Sequence, residues 1–328
     1  MSAAFGGGFV AFYRTLVEGP FGSWGRLLAT FAKVSPLVLT GLAAALPLKG
    51  GLFNIGAQGQ MYAGALAAMA TALVLSGISP LMLIPLVLLV GTAAGAGFGA
   101  IAGRLKSRYG VHEVISTIML NFIALQATAY LVSSGPLASP EGLGRTPPLP
   151  EAARLPIIAE AEAYPLSISI FIACAAAVVA WWFVSRSVTG FRMRAAGRNA
   201  LAATRRGISV PRMITTAMAL GGACAGLAGA TEVAGVQYSV SAAFSTEYGF
   251  DGIAVALLAN GHPLGVLPAA FLFGALRAAG TILQRDTGLS AQMIFCIEAV
   301  VIIAAAIPAV PRLLARWRPI VAAAACEE

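Results

Sequence analysis

Few residues in this sequence can do chemistry, and most of those lie inside apolar runs. Arg277, Asp251 and Glu298 are charges in such runs, and Asn54, Gln58, Gln60 and Asn121 are amides in or beside them. An amide both donates and accepts hydrogen bonds. Asn54, Gln58 and Gln60 therefore suit either a neutral, hydroxyl-rich solute or the loose backbone groups of an interrupted helix, and Asn121 either a substrate contact or a helix–helix hydrogen bond. Glu247 and Asp251 stand one helical turn apart, placed to face a cavity or to balance nearby cations. Two His and four Cys with no ligand spacing give no metal site. The three lysines, Lys33, Lys49 and Lys106, fall outside any GxxxxGK[ST] loop, and neither HExxH nor GxSxG occurs. No motif for hydrolysis is visible, so any work done must draw on a partner or an ion gradient.

The elements that position these residues are set by composition. The 328 residues are 59% hydrophobic and 10% charged, whereas soluble domains carry about a quarter charged residues. Lipid must replace water around most of the chain. A spanning helix needs about 20 apolar residues, and the pattern predicts an all-α, polytopic membrane fold. About nine spans are expected, near 27–48, 58–76, 80–102, 114–133, 166–184, 213–233, 247–261, 263–283 and 289–310. The segment 247–261 is short enough to be re-entrant, and the Gly-rich stretch holding Asn54 reads as a break between two spans. The net charge of +8 collects in short loops, which fits topology and not nucleic-acid binding.

Three stretches hold that charge: 103–110 with Arg104, Lys106 and Arg108; 185–212 with seven arginines; and a tail, 311–328, with Arg312, Arg316 and Arg318. The positive-inside rule places all three, and the C-terminus, in the cytoplasm. Segment 134–165 carries Glu141, Glu151, Glu160 and Glu162 and falls outside. Nine spans then leave the N-terminus outside. Residues 1–26 are therefore expected to form an N-terminal segment, either partly inserted or the remnant of a first helix, ahead of a transmembrane domain at 27–310.

Gly91, Gly95, Gly99 and Gly103 form consecutive GxxxG steps, and Gly222 with Gly226 repeats the pattern. Such faces let backbones approach closely, within one subunit or across a dimer seam. In the cytoplasmic segment, Gly197 and Asn199 can open a short helix over residues 200–206 that includes Ala200, Ala203 and Arg205. Asn199 is its N-cap and Gly207 closes it. Such a helix is either interfacial or a lever inserted into another protein. Glu113 is expected to be solvated or paired with Arg108. Phe244, Tyr238 and Tyr248 suit stacking on a base or anchoring at the membrane interface. Arg277 lies well inside its span, where an unpaired charge costs about 2.5–3.5 kcal/mol. Counting back from the turns at ~1.5 Å per residue places it level with Asp251 on one side and Glu298 on the other.

Four ordered blocks carry a resemblance. Residues 49–60 (KGGLFNIGAQGQ), 112–124 (HEVISTIMLNFIA), 197–208 (GRNALAATRRGI) and 249–280 (GFDGIAVALLANGHPLGVLPAAFLFGALRAAG) resemble bacterial ABC permeases of the branched-chain amino acid and ribose superfamily, nearest the nucleoside branch. The resemblance implies a nucleoside-importing permease in the bacterial inner membrane. It implies partnership with a cytoplasmic ATPase dimer that binds ATP and Mg, a second homologous permease, and an extracytoplasmic binding protein or lipoprotein. It also implies that residues 197–208 couple to the ATPase. Gln58 stands where an acidic residue is common in the family, His112 where Asn is common, and a helix before Phe21 is usual. A simple-sugar importer fits the same blocks. An ion-coupled transporter working alone would draw on Glu298 and Asp251 but leaves the capped helix unexplained.

Overall fold

The computed structural model describes residues 18–142, 144–160, 165–241, 244 and 247–287, with side chains described through residue 280. From Trp24 to Thr287, ten α-helices order the described residues. Helix α1 (Trp24–Lys49) is capped by Ser23, whose hydroxyl accepts from the Arg26 amide at 3.1 Å. It is apolar all round and buried from Leu28 through Pro47 apart from Phe31 and Lys33. A helix with that pattern belongs at the centre, and the later helices of the chain pack around it.

Helices α2 (Ala57–Val74), α3 (Pro80–Tyr109) and α4 (Glu113–Ser133) follow. A long loop then carries a 3-10 turn (Glu151–Ala153) and two short antiparallel strands, β1 (Ile157–Ala159) and β2 (Leu166–Ser167). Next come α5 (Ser169–Arg186), α6 (Val188–Arg198), α7 (Ala200–Arg205) and α8 (Val210–Glu232). Helix α8 widens into a π-turn at Val233–Gln237 before α9 (Tyr248–Leu258) and α10 (Val266–Thr287).

Five of the described helices, α1, α3, α4, α5 and α8, are long and apolar enough to cross a membrane by length and composition. Tyr248–Leu258 and Val266–Gly280 are shorter apolar helices. The ninth expected span, 289–310, lies outside the described residues. Two expected loops are helical. Helix α3 continues through Arg104, Lys106 and Arg108 because nothing there breaks it until Gly110, at φ 71. The stretch before the capped helix forms α6, whose start is fixed by Ser187 accepting from the Gly190 amide at 2.9 Å. Glu113 pairs with Lys106, one turn back on the extended α3, and not with Arg108.

The glycine stripes meet each other within the chain. Gly91, Gly95, Gly99 and Gly103 of α3 lie against Gly222, Gly226, Met218 and Thr215 of α8. A Cβ added at Gly103 would stand 2.8 Å from the Thr215 Cα, and one at Gly91 2.7 Å from the Ala230 Cβ. Lipid supplies no hydrophobic drive between helices, so this close approach is what gains van der Waals contact. The long loop after α4 is stitched to the chain after α8: Thr146 donates to the Val240 carbonyl at 2.9 Å, Leu149 to Tyr238 at 2.7 Å and Leu155 to Ala234 at 2.8 Å. Arg154 lies 5.0 Å over the Tyr238 ring, and burial pushes that phenol's pKa up against the pull of the guanidinium.

The seam predicts a contrast between two glycines of one helix. Gly95→Val should lower the thermal stability of the solubilised subunit by several degrees, because overpacking of this kind costs about 1–3 kcal/mol. Gly97→Val, at an exposed position with no atom within 4 Å of the new Cβ, should leave the melting temperature unchanged.

Candidate functional site: a broken-helix junction beneath a charge pair

The site begins where α1 stops. Gly50 and Gly51 turn the chain, Gly51 at φ 71, and residues 50–56 re-enter the bundle before α2 begins. An interrupted helix inside lipid must find internal partners for its backbone, and the amides provide them. Asn54 donates to the Ala43 carbonyl at 3.0 Å and accepts from the Gly56 amide at 3.0 Å. It also exchanges a reciprocal pair with Gln60, 2.9 Å one way and 3.1 Å the other. From α4, Asn121 accepts from the Gly59 amide at 2.8 Å and donates to the Ile55 carbonyl at 2.9 Å. These three amides are bonded to the break itself.

Gln58 reaches further. Its side-chain oxygen accepts from the Gly249 amide at 2.9 Å, which joins the start of α2 to the start of α9. Helix α9 has 11 residues, about 16 Å at 1.5 Å per residue, half a bilayer. It descends beside the second half of α1, with Gly252 against Thr40, Val255 against Gly41 and Gly261 near Leu48 and Lys49. Its start is therefore at mid-depth, and the expected short span 247–261 is a half-helix. Tyr238 at φ 53, after the π-turn, and Glu247 at φ 63, just before α9, both lie in the left-handed region. Phe244 is buried at 1% exposure and meets the Tyr62 ring edge-on at 5.9 Å, so it is a packing residue and not an interfacial anchor.

One turn into α9, Asp251 accepts from the Arg277 guanidinium of α10. The guanidinium also lies 4.7 Å over the Tyr248 ring. Lys33 of α1 donates to the Arg277 carbonyl at 3.3 Å, and Glu232 of α8 holds Gln237 at 3.0 Å. Both partners of the ion pair are nearly closed off from solvent, at 11% and 10% side-chain exposure. Glu298 lies outside the described residues. Sequence reasoning did not foresee Lys33 and Glu232 in this neighbourhood, although each is a lone charge in an apolar run.

On the other side of the break is the capped helix. Asn199 accepts from the Ala202 amide at 2.9 Å. At the far end Gly207 donates to Thr204 at 2.9 Å and Ile208 to Ala203 at 3.0 Å, with Gly207 at φ 78. This is the paired closing pattern of a Schellman cap. Helix α7 is exposed apart from Ala203, and Leu201 stands 65% exposed. A groove beside it is lined by Val188, Phe191, Ala195, Ala203, Arg206 and Ile208 among others. Gly197, just before α7, rests backbone to backbone on Gly50 and Gly51. A Cβ on Gly51 would lie 2.9 Å from the Gly197 carbonyl oxygen, and one on Gly197 would lie 2.7 Å from the Gly51 amide nitrogen. The last turn of α6, which leads into the exposed short helix, is thus set directly on the turn from which the broken segment hangs.

Long apolar helices around a central span and a half-helix that starts at mid-depth fit a multi-pass membrane transport component, and the short capped helix stands exposed at its edge. The comparisons make this specific. The permease component of branched-chain amino acid transport systems matches residues 26–306. The chain is 38% identical to the guanosine ABC transporter permease NupP of Bacillus subtilis, over 89% of this chain and 84% of that one. It is 34% identical to the glucose ABC transporter permease TsgB13 of Haloferax volcanii, over 90% and 78%, and 33% identical to the nucleoside ABC transporter permease NupB of Lactococcus lactis, over 91% and 84%. No solved structure matches it. The chain belongs to this ABC permease family and is a transport subunit, not an enzyme.

The ion pair yields a double-mutant prediction. Arg277→Met should reduce the yield of folded subunit, because breaking a buried pair from one side costs about 3–5 kcal/mol. Adding Asp251→Leu should recover the yield measured by fluorescence-detected size exclusion. A double variant no better folded than Arg277→Met would show that the two do not act as a pair.

Proposed function

We propose that this chain forms one half of the translocation pathway of an ABC importer for nucleosides in the bacterial inner membrane. The observation that carries the reading is its 38% identity, across 89% of its length, to a permease named for guanosine, joined by 33% identity to one named for nucleosides. Its C-terminus is cytoplasmic, and ATP with Mg is bound and hydrolysed by a separate ATPase dimer. An extracytoplasmic binding protein delivers solute to the outer loop. A simple sugar is the second reading, favoured by the glucose permease at 34% identity.

In this reading α7 docks on the ATPase through Ala200, Ala203 and Arg205, held by its caps Asn199 and Gly207. Movement of α7 passes through Gly197 to Gly50 and Gly51, and so to the break. Asn54, Gln60 and Asn121 hold the break's backbone in shape along the pathway. Gln58 and Asp251, at the α2–α9 junction, border the passage most closely, and neutral amide groups suit a hydroxyl-rich solute. The second half of the pathway is a homologous permease. Supporting this, α4 exposes a stripe of Ile115, Met119, Phe122, Gln126 and Tyr130. Gln126 stands seven residues, about 10 Å, from the outer end of α4, where lipid alone offers its amide no partner.

The test is uptake by transport-deficient cells expressing the whole system. Labelled guanosine should accumulate, and Ala203→Glu should abolish accumulation while the subunit remains inserted. Accumulation of glucose in place of nucleosides would select the second reading. Undiminished uptake by Ala203→Glu would remove α7 from the ATPase interface.

A further inference from the structure

A cavity of about 470 Å³ opens at the end of α1 that carries the broken turn, distinct from the α7 groove. Its apolar wall includes Leu48 and Val184, in the last turns of two spanning helices, and Gly51, Gly197 and Pro263 lie beside it. Its polar lining is Lys49, Ser185, Arg194, Arg198 and His262, with no carboxylate among them. Segment 185–212 contains no Asp or Glu at all. Lys49 spends one donor on the Asn260 carbonyl at 3.2 Å, and His262 accepts from the Gly265 amide at 3.3 Å. Among the described residues, Lys49, Arg194 and Arg198 make no ion pair, and the Arg194 Nη1 is a buried donor with no hydrogen-bond partner.

A buried unsatisfied donor among three cations is unusual, because such groups nearly always find a partner. Like charges brought together also repel unless an anion joins them. The cavity stands at the membrane boundary. Exposed Trp182 lies one turn above Arg186 on α5, as interfacial aromatics do. Basic pockets between spanning helices on the cytoplasmic side are where phosphate headgroups are held.

We propose that this cavity is a phosphate-binding site, in which a phosphodiester or free phosphate joins Lys49 of α1 to Arg194 and Arg198 of α6. Arg is suited to this by its planar fork, which engages two phosphate oxygens at once. The bound group latches the coupling segment to the end of the central helix, beside the glycine contact that transmits movement. The assignment of this face to the cytoplasm rests on the transport reading above, but binding itself does not.

The experiment therefore reads binding. Full-length permease is placed in phosphatidylcholine nanodiscs with or without phosphatidylglycerol, and lipid retention is followed by native mass spectrometry. Detergent-solubilised protein is titrated in parallel with inorganic phosphate, following its melting temperature. Wild type should retain phosphatidylglycerol over phosphatidylcholine, and Lys49→Gln and Arg198→Gln, at positions not fully buried, should each weaken retention about 5-fold. A phosphate-dependent rise in melting temperature, lost in the same variants and without lipid preference, would assign the site to free phosphate. The proposal is overturned if neither anion acts or if the variants bind as wild type does.

Discussion

Backbone groups released by an interrupted helix cannot be satisfied by lipid, and the turn between α1 and α2 is where this chain meets that constraint. Asn54, Gln60 and Asn121 form a cage of side-chain amides whose bonds run to the loose backbone of residues 43–59 or to each other. Once the cage exists, α2 can start inside the bundle, and Gln58 on its first turn meets the start of α9. The half-helix, the ion pair one turn into it and the packing of α10 against α1 all follow from that placement.

The same constraint explains why glycine recurs wherever two elements must share information as well as space. Between α3 and α8, glycines bring backbones together to gain contact that lipid would otherwise match. Between Gly197 and Gly51 the approach is just as close, but it joins the last turn of α6 to a turn and not two spans. A contact made of backbone has no rotamers through which a displacement can be absorbed. In the proposed importer, this makes Gly197 a rigid transmitter, and the cations around it a place where a bound anion can set its stiffness.

Spanning helices were legible in the sequence because their apolar length is a local property. Residues 27–48 and 114–133 differ from α1 and α4 by at most three residues at either end. Asn199 and Gly207 were readable as caps for the same reason, and the helix between them runs Ala200–Arg205. Depth counting alone brought Arg277 level with Asp251, because an antiparallel hairpin fixes relative depth. What was not legible is long-range. Helix α6 is polar and follows a span, so no apolar run announces it. The partner of Glu113 depended on α3 extending past its apolar core. That Asn121 reaches Ile55 and Gly59, that Gln58 meets Gly249, and that Gly197 rests on Gly50 needed the packed bundle, since those residues are distant in sequence.

The central claim is that the lever drives the α2–α9 junction through the Gly197 contact. It is tested most directly by following aqueous thiol labelling of Gln58→Cys in the reconstituted transporter with and without ATP. A nucleotide-dependent labelling rate is expected in the otherwise native complex, and loss of that dependence in Gly197→Val, with ATPase binding retained. A Gly197→Val complex in which ATP still changes Gln58→Cys labelling as it does in the parent would contradict it.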